Sequence, residues 1–206
     1  MGIFSVGDAY EAVGKTFTVP VSITNNPGIV SLKLEINYDA DSLQLVGVEA
    51  GDFGSVEGEV PGLSFGPEDS TPFIINWIDP LVEENNTSDG VLAYLTFEVL
   101  EGAAASSEIS INYNPNDVFD WEYNNVEFLC TVGTFTLKTY TLGDINDDGK
   151  INIRDLGLLQ QHLNNWDVTI NADAADVNGD GKLNIRDLGL LQQYLNNWDV
   201  TFGPQG

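Results

Sequence analysis

The feature that most constrains this chain is a tandem duplication near its C-terminal end. Residues 144–169 (DINDDGKINIRDLGLLQQHLNNWDVT) align without a gap with residues 176–201 (DVNGDGKLNIRDLGLLQQYLNNWDVT), and 22 of the 26 positions are identical. Each copy opens with the spacing D-x-N-x-D-G-K-x-N-x-x-D. Oxygen-bearing side chains at alternate positions around a glycine are the ligand pattern of a calcium-binding loop. The repeat therefore predicts a small domain built on two loop–helix units.

The two loops predict two sites for a hard cation. An EF-hand-type loop takes its ligands from positions 1, 3, 5, 7, 9 and 12 and has glycine at position 6. The predicted ligands are Asp144, Asn146, Asp148, the Lys150 carbonyl, Asn152 and Asp155 in the first loop, and Asp176, Asn178, Asp180, the Lys182 carbonyl, Asn184 and Asp187 in the second. An all-oxygen set favours Ca²⁺ over zinc or copper. We therefore expect two bound Ca²⁺ ions.

Two departures from an EF-hand predict that this calcium is structural. Position 12 is aspartate, which reaches less far than the usual glutamate, and no helix-forming stretch precedes either loop. The opening motion of a calcium sensor needs the helix that is missing here. A domain of about 65 residues is also marginal on its core alone, so bound metal would supply part of its stability.

Apolar residues after each loop follow a helical spacing of 3, 4 and 3. They are Leu156, Leu159, Leu163 and Trp166 in the first copy, and Leu188, Leu191, Leu195 and Trp198 in the second. Such a stripe is typical of the buried face of an amphipathic helix. We therefore expect Trp166 and Trp198 to pack in the core or against the helix end rather than to form glycan platforms.

Residues 3–138 have the pattern of an all-β domain. Short runs rich in Val, Ile, Thr, Phe and Tyr alternate with Gly, Pro, Asn and Asp clusters, and the predicted strands are 16–23, 30–38, 43–48, 73–78, 91–99, 108–113 and 128–137. In residues 31–38 the apolar Leu32, Leu34 and Ile36 alternate with polar neighbours. This period of two predicts a strand with one buried face. Strands at this spacing suggest a two-sheet sandwich.

Composition excludes several classes of function. The chain carries 32 acidic and 7 basic residues, a formal charge of −25, which repels nucleic acid and anionic membranes. No apolar run approaches the roughly 20 residues of a membrane helix, and the first residues lack a signal-peptide pattern. Cys130 is the only cysteine, expected to be buried and inert, and His162 is the only histidine, expected on a helix surface. Most hydrolase constellations are therefore absent.

The duplicated loop–helix region resembles a dockerin, the module by which enzymes and scaffolding proteins of cellulosome-type assemblies attach to a cohesin. The resemblance covers about residues 142–202, and the aspartate at position 12 and the missing first helix are dockerin traits. We place the dockerin-like domain at 139–206, with repeats 144–169 and 176–201. The resemblance implies a small all-α fold, and also a contact between Tyr140 and Pro204 that closes the domain.

The N-terminal region resembles a cohesin over residues 3–138. This resemblance rests on three segments: AVGKTFTVPV at 12–21, YDADSL at 38–43 and DGVLAYLTF at 89–97. The middle segment matches the family pattern Y-D-P-x-x-L except that Ala40 replaces the proline. The resemblance implies a nine-stranded jelly-roll sandwich, in agreement with the strand pattern.

Both resemblances also imply which residues bind partners. On the dockerin side they are Ile153, Arg154, Gln160, Gln161 and Asn165, with Ile185, Arg186, Gln192, Gln193 and Asn197 in the second copy. On the cohesin side they are Lys33, Glu35, Asn37 and Asp39 on one strand and Asn76, Ile78 and Asp79 on another. Metal binding does not require Ile-Arg and Gln-Gln to match in both copies. The match therefore predicts dual-mode docking, in which either copy faces the partner.

The expected function is that of a non-catalytic adaptor scaffoldin, secreted or on the surface of an anaerobic bacterium. Its cohesin would bind the dockerin of an enzyme or other protein, and its dockerin would bind the cohesin of another scaffoldin, without nucleic-acid or direct membrane contact. The assembly would degrade polysaccharide. The alternatives are a carbohydrate-binding sandwich with a dockerin, using Trp77, Trp121 and Tyr123 as a platform, an artificial cohesin–dockerin fusion, and an enzyme.

Overall fold

The described residues form two β-sheets, three α-helices and one short 3-10 helix, Pro115–Asp117. The computed structural model describes residues 1–80 and 84–203, and it divides the chain into the units Met1–Lys138 and Thr139–Gly206. Within these described residues, the strands lie in the first unit and the α-helices in the second. The predicted Tyr140–Pro204 contact lies outside the described residues.

The strands of the first unit form a two-layer sandwich. They are β1 (Gly2–Val6), β2 (Ala9–Glu11), β3 (Thr16–Thr24), β4 (Ser31–Asn37), β5 (Leu43–Ala50), β6 (Leu63–Phe65), β7 (Phe73–Ile78), β8 (Gly90–Val99), β9 (Ser106–Asn112), β10 (Phe128–Thr131) and β11 (Gly133–Leu137). One sheet has the order β10-β1-β3-β8-β5 and the other the order β2-β11-β9-β4-β7-β6.

The first and last strands each pass from one sheet to the other. β1 continues into β2, and β10 continues into β11 after Val132, so the predicted single strand 128–137 is broken where it changes sheets. The two segments pair in parallel, β1 with β10 and β2 with β11. A side chain at Gly133 would overlap the Gly7 carbonyl oxygen, so the crossing requires glycine there. Counting each crossing strand once gives nine strands, and the jelly-roll prediction is confirmed.

The core lies between the two sheets and follows the alternation of the sequence. Leu32, Leu34 and Ile36 of β4 are buried, whereas the polar residues between them face outward. Five phenylalanines in this core have no exposed surface: Phe4, Phe53, Phe73, Phe97 and Phe135. A buried aromatic side chain contributes more apolar area than any other core residue type, so these rings dominate the stability of the sandwich.

The second unit contains two equivalent helices, α1 (Ile153–Leu163) and α3 (Ile185–Leu195), and the single turn α2 (Ala172–Ala175). Asn152 and Asn184 begin the long helices, each within a reciprocal capping box. Leu159 and Leu191 are fully buried and pack with Ile145, Ala175 and Val177. The predicted pair of amphipathic helices is therefore present.

The expectation that the two tryptophans pack in the small core is wrong. Trp166 and Trp198 are each 62 % exposed and lie outside the small core. The apolar stripe ends with the helix, because Asn165 takes a left-handed conformation with φ 58°. The Trp166 backbone N–H then donates to the Gln161 carbonyl at 3.0 Å, which closes the helix end as in a Schellman motif.

The sandwich core generates the first prediction. Phe97→Ala should lower the free energy of unfolding of residues 1–138 by about 3–5 kcal/mol, because it empties a fully buried site that contacts Phe17 and Tyr38. Tyr10→Ala is the control, since Tyr10 is 61 % exposed on an edge strand and should cost about 0.5 kcal/mol. Urea unfolding of both variants checks this, and equal losses would contradict it.

Candidate calcium loops and docking surfaces

The aspartate at position 12 ties each loop to its helix. Asp155 is fully buried, and its carboxylate accepts backbone N–H groups from Ile145 at 2.9 Å, Asn146 at 3.2 Å and Asn152 at 2.8 Å. The first two donors lie at the start of the loop, and the third lies at the helix N-cap. One side chain therefore fixes both ends of the loop.

The first loop residue organises the turn in between. The Asp144 carboxylate is 5 % exposed and accepts the N–H groups of Asp148 at 3.0 Å and Gly149 at 2.8 Å. Gly149 has φ 80°, a left-handed conformation that glycine adopts without strain. Asp147 is also left-handed and holds the Asn171 amide at 2.8 Å. Asp144 therefore fixes the turn at Asp148 and Gly149.

The second loop repeats this arrangement. Asp176 accepts from Asp180 and Gly181, and Asp187 accepts from Asn184 at 2.9 Å and Asn178 at 3.4 Å. Burial raises the pKa of the Asp187 carboxyl, while these backbone donors act in the opposite direction. A fully buried carboxylate is costly to keep charged unless a positive group compensates it.

These residues fit a divalent cation. Among the described residues, neither Asp155 nor Asp187 has a cationic side chain within ion-pair distance. The second loop does contain one ion pair, between Arg186 and Asp180 at 3.9 Å. In the same part of the chain no three carboxylate, imidazole or thiolate groups meet at one point. An ion would therefore also draw on the amide and carbonyl oxygens of each loop, which are ligands that suit Ca²⁺.

Most of the predicted dockerin-side residues lie on matching surfaces of α1 and α3, and Asn165 and Asn197 follow the helix ends. Ile153 and Ile185 are each 71 % exposed, which is unusual for so large an apolar side chain that begins a helix. The remaining members are exposed or half-buried and agree in exposure position by position: Arg154, Gln160, Gln161 and Asn165 with Arg186, Gln192, Gln193 and Asn197. At about 100° per residue, the helical members of each set are centred on the side of the helix roughly opposite the buried Leu159 or Leu191. Their role in binding stays a prediction.

Most of the predicted cohesin-side residues share the outer face of one sheet. Strands β4 and β7 are antiparallel neighbours, with Lys33 opposite Asn76 and Ser31 opposite Ile78. Side chains of directly opposed residues point to the same side of a sheet. Lys33, Glu35 and Asn37 therefore lie on one face with Asn76 and with Ile78, which is 59 % exposed.

Asp39 and Asp79 do not lie on these strands. β4 ends at Asn37, and the Asp39 carboxylate accepts the Asp41 N–H at 3.1 Å and the Ser42 hydroxyl at 2.6 Å. Asp39 therefore shapes the turn into β5 instead of continuing the strand face. Asp79 follows the end of β7, where its N–H donates to the Val30 carbonyl at 2.8 Å. The predicted placement of both residues on a strand is wrong.

The same sheet face contains residues that are not among the predicted cohesin-side residues. Strand β9 lies on the other side of β4, with Ser110 opposite Asn37 and Asn112 opposite Glu35. Glu108 is exposed on the same face of β9. The alternation within residues 108–112 indicates an outward polar row, but only the strand order places that row beside β4. The face is therefore broader than predicted.

The proposed three-residue sugar platform is not formed. Trp77 is only 2 % exposed and packs edge-on against Phe53 with ring centroids 4.9 Å apart. Trp121 and Tyr123 are exposed, but they cannot form a surface platform with Trp77, which is buried.

Cys130 is half-buried, and burial raises the pKa of its thiol, which disfavours the reactive thiolate.

Family models match both parts of the chain. A cohesin domain is found over residues 3–125 and a dockerin type I domain over residues 142–196. The chain therefore belongs to the cohesin family and carries a dockerin type I domain after its cohesin domain. Both resemblances drawn from the sequence are confirmed. Domains of these two types are non-catalytic, and calcium binding is typical of the dockerin type.

A curated relative and several solved structures support the assignment of the first unit. Cellulose-binding protein A of Clostridium cellulovorans is 29 % identical over 135 residues, which are 65 % of this chain and 7 % of that much longer protein. The sixth cohesin of scaffoldin B of Acetivibrio cellulolyticus, solved with a dockerin, has TM-score 0.58 and 23 % identity, covering 66 % of this chain and 99 % of that one.

A similar fold is also found in an archaeal protein. A non-cellulosomal cohesin from the archaeon Archaeoglobus fulgidus has TM-score 0.53 and 22 % identity, covering 67 % of this chain and 91 % of that one. At such identities the likeness establishes the fold alone. In the described residues no helix is long and apolar enough to cross a membrane.

The position-12 aspartate generates the second prediction. Asp155→Ala should lower the free energy of unfolding of residues 139–206 by at least about 3 kcal/mol, because it leaves three backbone N–H groups without their acceptor. Asp167→Ala removes an exposed carboxylate just after the same helix and should change stability by about 0.5 kcal/mol. Denaturant titration followed at the helical circular-dichroism signal tests both, and a small effect of Asp155→Ala would contradict the role assigned to it.

Proposed function

We propose that this chain is a non-catalytic adaptor scaffoldin. Its cohesin domain binds the dockerin of an enzyme or another protein, and its dockerin domain binds the cohesin of another scaffoldin. The observation that carries this proposal is the presence of both domain types in one chain. Each domain also carries an exposed surface of mixed apolar and polar side chains outside its own core. The complex acts outside the cell, on polysaccharide.

Charge supports the cohesin half of the proposal. Residues 1–140 carry 22 acidic side chains and only Lys15, Lys33 and Lys138 as bases. An arginine-bearing dockerin surface is attracted by such a field, which speeds association more than it adds to affinity. The outer face of β9, β4 and β7 combines this acidity with the exposed Ile78, which can serve as an apolar anchor.

The repeat supports dual-mode docking in the dockerin half. Ile153 and Ile185 have equal exposure, and the two helices have identical N-caps and lengths. A partner that recognises one helix surface meets the same chemistry on the other. The domain can therefore dock in two orientations that exchange the roles of the repeats.

Two structural Ca²⁺ ions complete the proposal, one in each loop. The ligands are those named from the sequence, and the ion compensates the buried charge of Asp155 and Asp187. Because Asp155 also fixes the start of α1, loss of the ion disturbs the helix that carries the docking surface.

Dual docking generates the third prediction. Replacing Ile153 and Arg154 together by alanine should weaken cohesin binding by only about twofold, because the second copy still docks. Replacing Ile185 and Arg186 as well should weaken it by 100-fold or more, on the order of 3 kcal/mol, because both anchors are then lost. Calorimetry of the full chain against a panel of isolated cohesins, including residues 1–138 of this chain, measures both.

The matched control for these variants is the Ile185 and Arg186 pair replaced alone, which should behave like the first pair. A large loss from either pair alone would contradict dual docking while leaving the adaptor function intact. Failure of the unmodified chain to bind any cohesin of the panel in calcium would contradict the adaptor function itself.

Calcium removal provides the fourth prediction. A chelator should lower the unfolding temperature of the dockerin domain and leave that of the cohesin domain unchanged. At a free Ca²⁺ concentration 100 times the dissociation constant, each site contributes about 2.7 kcal/mol. Scanning calorimetry with and without chelator separates the two transitions, and titration calorimetry should give two ions per chain. A single ion, or an unchanged dockerin transition, would contradict the two structural sites.

A further inference from the structure

Each docking helix has a glycine in its interior that the fold of the domain does not require. Gly157 lies in α1 and Gly189 at the same place in α3. Glycine inside a helix is less stable than alanine there, so it usually has a packing or conformational reason. The same residue at this position in both copies calls for a physical explanation.

Packing within the domain does not explain these glycines. A β-carbon built on Gly157 or on Gly189 meets no atom within 4 Å, so alanine would fit without a clash. Neither residue has the positive φ that favours glycine, in contrast to Gly149 and Gly181 in the loops. The reason therefore lies in something that approaches the helix from outside.

The position of each glycine indicates what approaches. Residues three and four apart are neighbours on a helix surface. Gly157 has four such neighbours, and they are the four helical residues predicted to bind a cohesin: Ile153, Arg154, Gln160 and Gln161. At about 100° per residue, Gly157 lies roughly 40° from Ile153, near the middle of that face and opposite the buried Leu159. Gly189 lies in the same place among Ile185, Arg186, Gln192 and Gln193.

The surface is depressed where the side chain is missing. At the second copy an open depression of about 600 Å³ is lined by Gly189, Leu190, Arg186 and Gln193, together with loop residues 178–180. Arg186 and Gln193 have long side chains, whereas a β-carbon built on Gly189 meets no atom within 4 Å, so the helix backbone at Gly189 is open to this depression. A partner group can therefore reach the helix backbone there.

We infer that Gly157 and Gly189 are specificity-determining residues of the two docking surfaces, which let the sheet face of a partner cohesin approach the helix backbone. This inference rests on the proposed adaptor function and adds to it a requirement for shape. The partner presents a side chain that fills the depression beside Gly189, next to Arg186 and Gln193. A side chain at the glycine position occupies that space and holds the two surfaces apart.

The test uses substitutions that favour the helix and oppose docking. Gly157→Gln with Gly189→Gln, in the full chain with calcium, should raise the unfolding temperature of the dockerin domain, because glutamine is a better helix former than glycine. The same variant should bind the best cohesin of the panel at least about 30-fold more weakly, the loss expected for one well-packed contact. Gly157→Ala with Gly189→Ala should show the same two directions with a smaller loss of affinity.

Asp167→Asn with Asp199→Asn is the matched control, since both residues are exposed, paired by the repeat and outside the helices; its affinity should be unchanged. Gly157→Gln alone should lose about twofold, because the other copy still docks. A double glutamine variant that is more stable and binds like the unmodified chain would overturn the inference and leave the adaptor function standing. Absence of cohesin binding by the unmodified chain would instead overturn the function on which the inference rests.

Discussion

The C-terminal unit of this chain depends on one buried carboxylate in each repeat. Asp155 accepts three backbone N–H groups, two from the start of the loop and one from the helix N-cap. The same group is the last ligand of the predicted cation site, so loop closure, helix initiation and metal binding share one side chain. Because one carboxylate serves all three purposes, a domain with only five fully buried apolar residues in its central cluster can hold two exposed helix faces in a fixed geometry.

Local patterns predicted the elements of this chain well. The ladder from Asp144 to Asp155 and the caps that follow it are contained in a dozen residues, so their geometry follows from short-range hydrogen bonding. The alternation of residues 31–38 likewise predicted which side chains of β4 enter the core. The strand order and the crossing at Val132 depend on contacts between distant segments, which a single sequence does not display.

The errors have particular physical causes. Trp166 continues the helical spacing of the apolar residues in the sequence. Asn165 has already left the helix, so the helical period of 3.6 residues no longer applies at Trp166. Asp39 follows the alternation of β4, yet its carboxylate engages Ser42 and ends the strand. A sugar platform that includes Trp77 conflicts with the alternation of β7, because Trp77 is in phase with Phe73 and Ile75, which face inward. The alternation of residues 73–78 therefore predicts correctly that Trp77 is buried.

The crossing strands of the sandwich also decide how it responds to force. β1 and β10 run in parallel and are joined from Gly2 and Phe128 to Ser5 and Thr131. Tension applied between the start of the chain and the segment after Lys138 pulls these strands along their length in opposite directions. The hydrogen bonds of the pair then bear the load together instead of opening one after another. A domain closed in this way resists extension between its two ends.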